Sequence, residues 1–136
     1  MVGSRSAGRF VPNLPPVNDF ATALALFHAL GQARREVVGV AYLDPDRRIL
    51  GLRHIVGTRD RVDVSVRGIV ADALAFDAAA VVMAHNHPSG DARPSERDLA
   101  FTRALARGLA GIEVELLDHL VMAGEATTSI RDLTSS

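Results

Sequence analysis

Cysteine is absent from the 136 residues, which removes thiol nucleophiles, thiolate metal sites and disulfides together. Any metal bound by this chain is therefore held by His, Asp or Glu. Lysine is absent as well, all 15 basic residues being arginine. That excludes Schiff-base chemistry and a P-loop lysine, and the chain cannot be its own lysine-isopeptide substrate. Tryptophan is missing and aromatics make up only 4%, so the core falls to Ala, Val, Leu and Ile. An excess of either charge is also lacking. The 15 basic and 16 acidic residues nearly cancel, leaving no basic field of the kind that marks a nucleic-acid groove or an anionic membrane surface. No apolar run reaches the length of a membrane span, and the opening MVGSRSAGRF has no apolar stretch suited to a secretory signal. These absences set the expectation of a cytoplasmic protein with no membrane partner.

What is present is a 48% apolar chain of one domain's length. Folding at this size buries roughly two thirds of the chain's surface, enough for one core without covalent staples. Residues 1–17 hold Pro12, Pro15 and Pro16 among Gly and Ser and read as a flexible lead-in. The folded domain is expected over residues 18–133, with 134–136 as a tail. Asn18 or Asp19 caps a helix whose Phe20, Leu24, Phe27 and Leu30 recur at helical spacing, stopping near Gly31. Glu36 to Leu43 (EVVGVAYL) is apolar on both alternating faces, the mark of a strand buried between two layers. After an Asp44-Pro45-Asp46 turn, Arg48 to Val56 reads as a return strand. A turn at Gly57-Thr58 and a short strand through Val62 and Val64 follow. Ser65 stands where an N-cap belongs, before a helix marked by Ile69, Val70, Ala73, Leu74 and Phe76, and Ala80 to Ala84 is a short apolar strand. A third helix carries Leu99, Thr102, Leu105 and Leu109. Ile112 to Leu117 and Leu120 to Ala123 read as two strands, and the polar tail from Gly124 is expected to fray. Alternating strands and helices around doubly apolar strands predict an α/β chain, a three-layer α/β/α sandwich on a mixed sheet.

The chemistry concentrates after the short strand, in His85-x-His87 followed by ten residues and then Asp98. Side chains at i and i+2 of an extended segment project to one side, so both imidazoles can reach one ion. Pro88-Ser89-Gly90 turns the chain, and Pro94-Ser95 opens the next helix with Asp98 in its first turn. Two nitrogens and one oxygen then converge and leave a fourth tetrahedral position for water, as in catalytic zinc sites. The alternative for Asp98 is an acid favoured by the helix dipole without a metal. A metal-activated water needs a base. Of the five glutamates, Glu36, Glu96, Glu113, Glu115 and Glu125, only Glu36 opens a central strand, and it is the candidate general base and acid. Its rival role is that of a solvated charge beside Arg34 and Arg35. Ser95 fits both a helix N-cap and a donor to a developing oxyanion. His119 fits an outer contact to the metal site, a substrate contact or a structural histidine, and His28 and His54 carry no partner pattern.

The run His85-Asn86-His87-Pro88-Ser89-Gly90 with Pro94-Ser95-x-x-Asp98 resembles the JAMM signature of JAB/MPN metalloproteases, and its wording resembles the RadC branch. Leu117-Asp118-His119 and Leu43-Asp44 are similar to that branch too, so the resemblance covers about residues 19–133. It implies zinc on His85, His87 and Asp98, a base at Glu36 and assistance from Ser95. It also implies a cytidine-deaminase-like fold. A deaminase itself is disfavoured, since its zinc needs cysteine ligands. Two departures stand out. RadC-like proteins usually carry a helix-hairpin-helix region ahead of this domain, and these 136 residues are expected to hold none, so a DNA-binding role is not carried over. Gly68 stands where the family has an acidic residue, which is expected to alter a contact near the site mouth. The resemblance implies a zinc metallopeptidase or isopeptidase cutting an amide bond in a peptide or protein conjugate. The alternative is a non-catalytic nucleic-acid or protein binding module associated with DNA repair or mobile elements.

Overall fold

The strands follow the apolar runs. Val37–Leu43 (β1) and Ala80–Asn86 (β3) are buried along nearly their whole length, as expected for segments apolar on both faces. The computed structural model of the protein describes residues 14–56 and 64–131. With Ile49–Val56 (β2), Glu115–Ala123 (β4) and Ala126–Ser129 (β5), these strands form one five-stranded sheet of order β2-β1-β3-β4-β5. Only the β3/β4 pair is parallel.

Among the described residues three helices cover the sheet: α1 (Phe20–Phe27), α2 (Val66–Phe76) and α3 (Glu96–Ala110). Each starts at a side-chain cap. Asp19 accepts from the Thr22 N–H at 2.9 Å, Ser65 from Gly68 at 3.0 Å and Ser95 from Asp98 at 3.0 Å, each satisfying an orphan donor of a first turn. After Phe27 the first helix tightens into a 3-10 turn, His28–Gln32. It ends at Gln32, one residue past Gly31, whose carbonyl accepts from the Gly124 N–H at 2.9 Å and where the Gly124 backbone leaves no room for a Cβ. Phe27 and Leu30 pack with Leu43, Val82, Leu120 and Met122 on one sheet face. Ile69, Ala73, Leu105 and Leu109 pack with Val40, Tyr42, Val81 and Met83 on the other. The result is the expected three-layer α/β/α sandwich on a mixed sheet. No helix among the described residues is long and apolar enough to cross a membrane.

Four local expectations meet a different outcome. The central strand continues two residues beyond Ala84 and takes His85 and Asn86 into the sheet, because pairing with β1 and β4 holds the backbone whatever its polarity. Ile112–Leu117 and Leu120–Ala123 are not two strands. Ile112 lies in the turn after α3, and Glu115–Ala123 is one strand whose polar Asp118-His119 pair finds partners inside the fold. The tail does not fray at Gly124. Gly124, at φ 59°, opens a tight turn into β5, whose Ser129 pairs with Leu120, and Ile130 beyond it is buried. Finally, Val64 belongs to no strand, and the rest of the expected turn and strand, residues 57–63, lies outside the described residues.

Strand β4 carries one irregularity with consequences for the site. Val81 pairs with Leu116 but Val82 pairs with Asp118, so β4 has one extra residue. Leu116 faces α2 and α3, whereas Leu117 faces α1 and Asp118 lies beside it in a cavity on that side. His119 then returns to the α3 face, where it meets Thr102. A bulge of one residue flips every following side chain to the opposite face. Without it His119 points to the α1 layer.

Candidate metal centre and its cleft

Alternation along β3 sends Val81, Met83 and His85 toward α2 and α3. His85 is buried at the end of that row. The His87 N–H donates to the Met122 carbonyl at 2.8 Å, which keeps the chain beside β4 past the end of the strand. The Gly90 N–H then donates back to the His87 carbonyl at 3.0 Å, closing a turn in which Gly90 has φ 92°, a conformation that suits glycine. That turn returns the chain to the start of α3. There Ser95 and Asp98 form a capping box, the Asp98 carboxylate accepting from the Ser95 N–H at 2.8 Å. The sequence thus fixes the Asp98 carboxylate twice, by helix phase and by the cap.

The side chains of His85, His87 and Asp98 converge, with one ligand atom of each within 4.8 Å of the others. His85 Nε2 lies 3.0 Å from His87 Nε2 and 3.3 Å from Asp98 Oδ1, and His87 Nε2 lies 3.1 Å from Asp98 Oδ2. The chemistry of this donor set fits a cation. The Asp91 carbonyl, 2.9 Å from His87 Nδ1, only accepts, so Nδ1 carries a proton and a neutral His87 turns its lone pair on Nε2 inward. A lone pair, a second imidazole and a carboxylate in mutual contact are cohesive around a positive charge and repel without one. Burial works to raise the Asp98 pKa. Contact with the His85 ring and the hydrogen bond from the Ser95 backbone outweigh it, and the carboxyl is held well below the usual carboxylate range. It is therefore anionic, as a ligand must be.

Comparison with known proteins agrees with this geometry. A profile described as the RadC-like JAB domain matches residues 17–135. The chain belongs to the RadC-like JAB domain family. It is 39% identical over 117 residues to a UPF0758 protein of Cellvibrio japonicus, covering 85% of this chain and 50% of that protein. A UPF0758 protein of Polaromonas sp. is 41% identical over 105 residues, 76% of this chain and 47% of its own length. One from Vibrio cholerae is 38% identical over 127 residues, 93% of this chain and 80% of that protein. The chain thus spans about half the length of the first two relatives and four fifths of the third.

In this RadC-like domain His85, His87 and Asp98 line a cleft of about 480 Å3. Glu36, Ser95 and His119 line the same cleft, with Val38, Val64, Met83 and Phe101 as its apolar wall and Arg97 among its lining residues. Glu36 stands one residue before β1, half-buried, so the candidate base is next to the strand rather than inside it. Ser95 uses its oxygen as acceptor in the cap, which leaves its hydroxyl proton free to donate. His119 is buried, with Nε2 2.7 Å from His85 Nδ1 and Nδ1 2.6 Å from Thr102 Oγ1. Burial, together with the neighbouring His85, pushes its pKa down to about 3. Gly68 does not line the cleft. It occupies the third position of α2, where an acidic side chain completes a capping box with Ser65.

Two residues of the site have roles to which the sequence analysis assigns nothing. Asn86, buried between the two histidines, accepts from the Val37 N–H at 2.6 Å and donates to the Ala33 and Arg35 carbonyls at 3.1 and 2.8 Å. All three partners flank Glu36, so Asn86 ties the strand that carries the histidines to the segment that carries the glutamate. A polar amide inside an otherwise apolar strand was the one available hint. Thr102 reads as part of the apolar stripe of α3, yet it bridges Asp98 and His119.

Proposed function

We propose that this RadC-like JAB domain is a zinc-dependent hydrolase that cuts an amide bond in a peptide or protein conjugate. The observation that carries the reading is the convergence of His85, His87 and Asp98 in a cleft also lined by Glu36 and Ser95. Two imidazoles, one carboxylate and no thiolate form the donor set of catalytic zinc. When bound, zinc supplies Lewis acidity, polarising the substrate carbonyl and making water acidic near neutral pH. Glu36 takes the proton of the attacking water and delivers it to the leaving nitrogen. The Ser95 hydroxyl donates to the oxygen on which negative charge develops. The apolar wall of Val38, Val64, Met83 and Phe101 receives a side chain beside the scissile bond.

Metal analysis of protein purified without chelators, beside the His87→Ala variant, tests the reading. About one zinc per chain, lost in the variant, is the expected result. A wild-type protein that takes up no metal when zinc is supplied overturns it. With zinc retained, Glu36→Gln is expected to abolish hydrolysis in a screen of peptides and lysine isopeptides.

A further inference from the structure

We infer that Thr102 and His119 are positioning residues that hold His85 as the tautomer protonated on Nδ1, so that its Nε2 faces the metal site as an electron-pair donor. The inference deepens the proposed function and rests on its metal reading. The direction of the chain is set at one end by an atom that can only accept. Thr102 Oγ1 lies 2.7 Å from the Asp98 carbonyl oxygen, so the single hydroxyl proton points there. With that proton used, Thr102 Oγ1 can only accept from His119 Nδ1, 2.6 Å away. His119 is 2% exposed, and its ring meets a hydroxyl and another imidazole, surroundings that disfavour the charged form. A neutral His119 protonated on Nδ1 has a bare Nε2. His85 Nδ1, 2.7 Å from it, must then be the donor. A His85 ring that carries a single proton therefore has it on Nδ1 and leaves bare the Nε2 turned toward His87 and Asp98.

The opposite polarity fails at both ends. It leaves two oxygens 2.7 Å apart at Thr102 and Asp98 with no proton between them. It also puts a proton on His85 Nε2, where it blocks coordination. The arrangement has two origins in the fold. Asp98 and Thr102 are four residues apart on α3, so one helix face supplies a ligand and, a turn later, the anchor of the chain. The extra residue in β4 turns His119 onto that face. The second ligand reaches the same end more directly, its Nδ1 proton going straight to the Asp91 carbonyl. Outer partners of this kind fix ligand tautomers and are worth about 10- to 100-fold in metal affinity.

The experiment is nitrogen-15 NMR of the histidine rings of the full chain at pH 8, freed of metal by chelator, for wild type, Thr102→Val and Thr102→Ser. Zinc affinity is measured in parallel by competition with a chromophoric chelator. His85 and His119 are expected to be protonated on Nδ1 in the wild type. Thr102→Val, which keeps the shape and removes the hydroxyl, is expected to move His85 toward the Nε2-protonated form and weaken zinc about 10-fold or more. Thr102→Ser restores both readouts. Nε2 protonation of His85 in the wild type overturns the inference without recourse to any variant. An unchanged ring pattern and zinc affinity in Thr102→Val overturn it as well. A wild type with the expected ring pattern that binds no zinc upholds the proton arrangement and overturns the metal reading instead.

Discussion

Asn86→Ala removes one buried amide and three hydrogen bonds, all made to the backbone on either side of Glu36. A typical intramolecular hydrogen bond contributes about 1 kcal/mol net, and a buried group left without a partner costs about 1–3 kcal/mol. Arg35 is exposed and Ala33 and Val37 are half-buried, so water can replace part of what is lost. The expected destabilisation is therefore about 2–3 kcal/mol, a fall of roughly 5–10 °C in Tm for a domain of this size. Asn86→Asp should do no better. It keeps an acceptor for the Val37 N–H but sets a carboxylate against the two carbonyls the amide served. Urea unfolding followed by circular dichroism measures the energy. Hydrogen exchange reads the location, because the Val37 amide should lose protection while amides at the centre of β3 respond only to the global change. Metal binding should survive, since the ligands keep their own supports. A loss under about 0.5 kcal/mol, with Val37 still protected, would refute the view that Asn86 ties the Glu36 segment to the histidine strand.

Two further outcomes follow from the same structure. Gly68→Glu should stabilise the protein by about 1 kcal/mol, by replacing a helical glycine and completing the Ser65 capping box, and a lower urea midpoint would contradict the assignment of Gly68 to the α2 cap. For the metal-free protein, the depressed pKa of His119, about 3 against an ordinary 6.5, means that between those values the unfolded chain binds a proton the folded one does not. No penalty exists above pH 6.5, and stability falls as pH drops toward 3, by at most about 1.4 kcal/mol per pH unit from this group. Urea midpoints between pH 7 and 5 should therefore be steeper in pH for the wild type than for His119→Gln, and equal slopes would exclude His119 as the source.

Much of the site was legible because it is local. His85 and His87 share a side through strand alternation, Asp98 is placed by a capping residue three positions earlier, and Glu36 stands at the head of an apolar run. Each feature involves only neighbours in the chain. The doubly apolar strands announced a layer on each side for the same reason, and Asp19, Ser65 and Ser95 marked the helix starts. Where sequence and structure differ, the deciding information lies in another strand. The Asp118-His119 pair looked like a break in β4 because its polar side chains are satisfied by Ser129, Thr102 and His85. The polar segment Ala126–Ser129 looked like a fraying tail because its order comes from pairing with β4.

The residues alone therefore determined the donor set, the helix caps and the layered class of the fold, since these depend on side-chain chemistry and on short-range periodicity. Tertiary structure decided which of the remaining polar residues act together. One extra residue in β4 sets the face on which His119 emerges. Asn86 finds its partners some fifty positions away in sequence, across the β1/β3 pair. A hydroxyl on α3 meets an imidazole on β4 only because the two layers pack. Register and packing are properties of pairs of segments, and neither partner encodes them by itself.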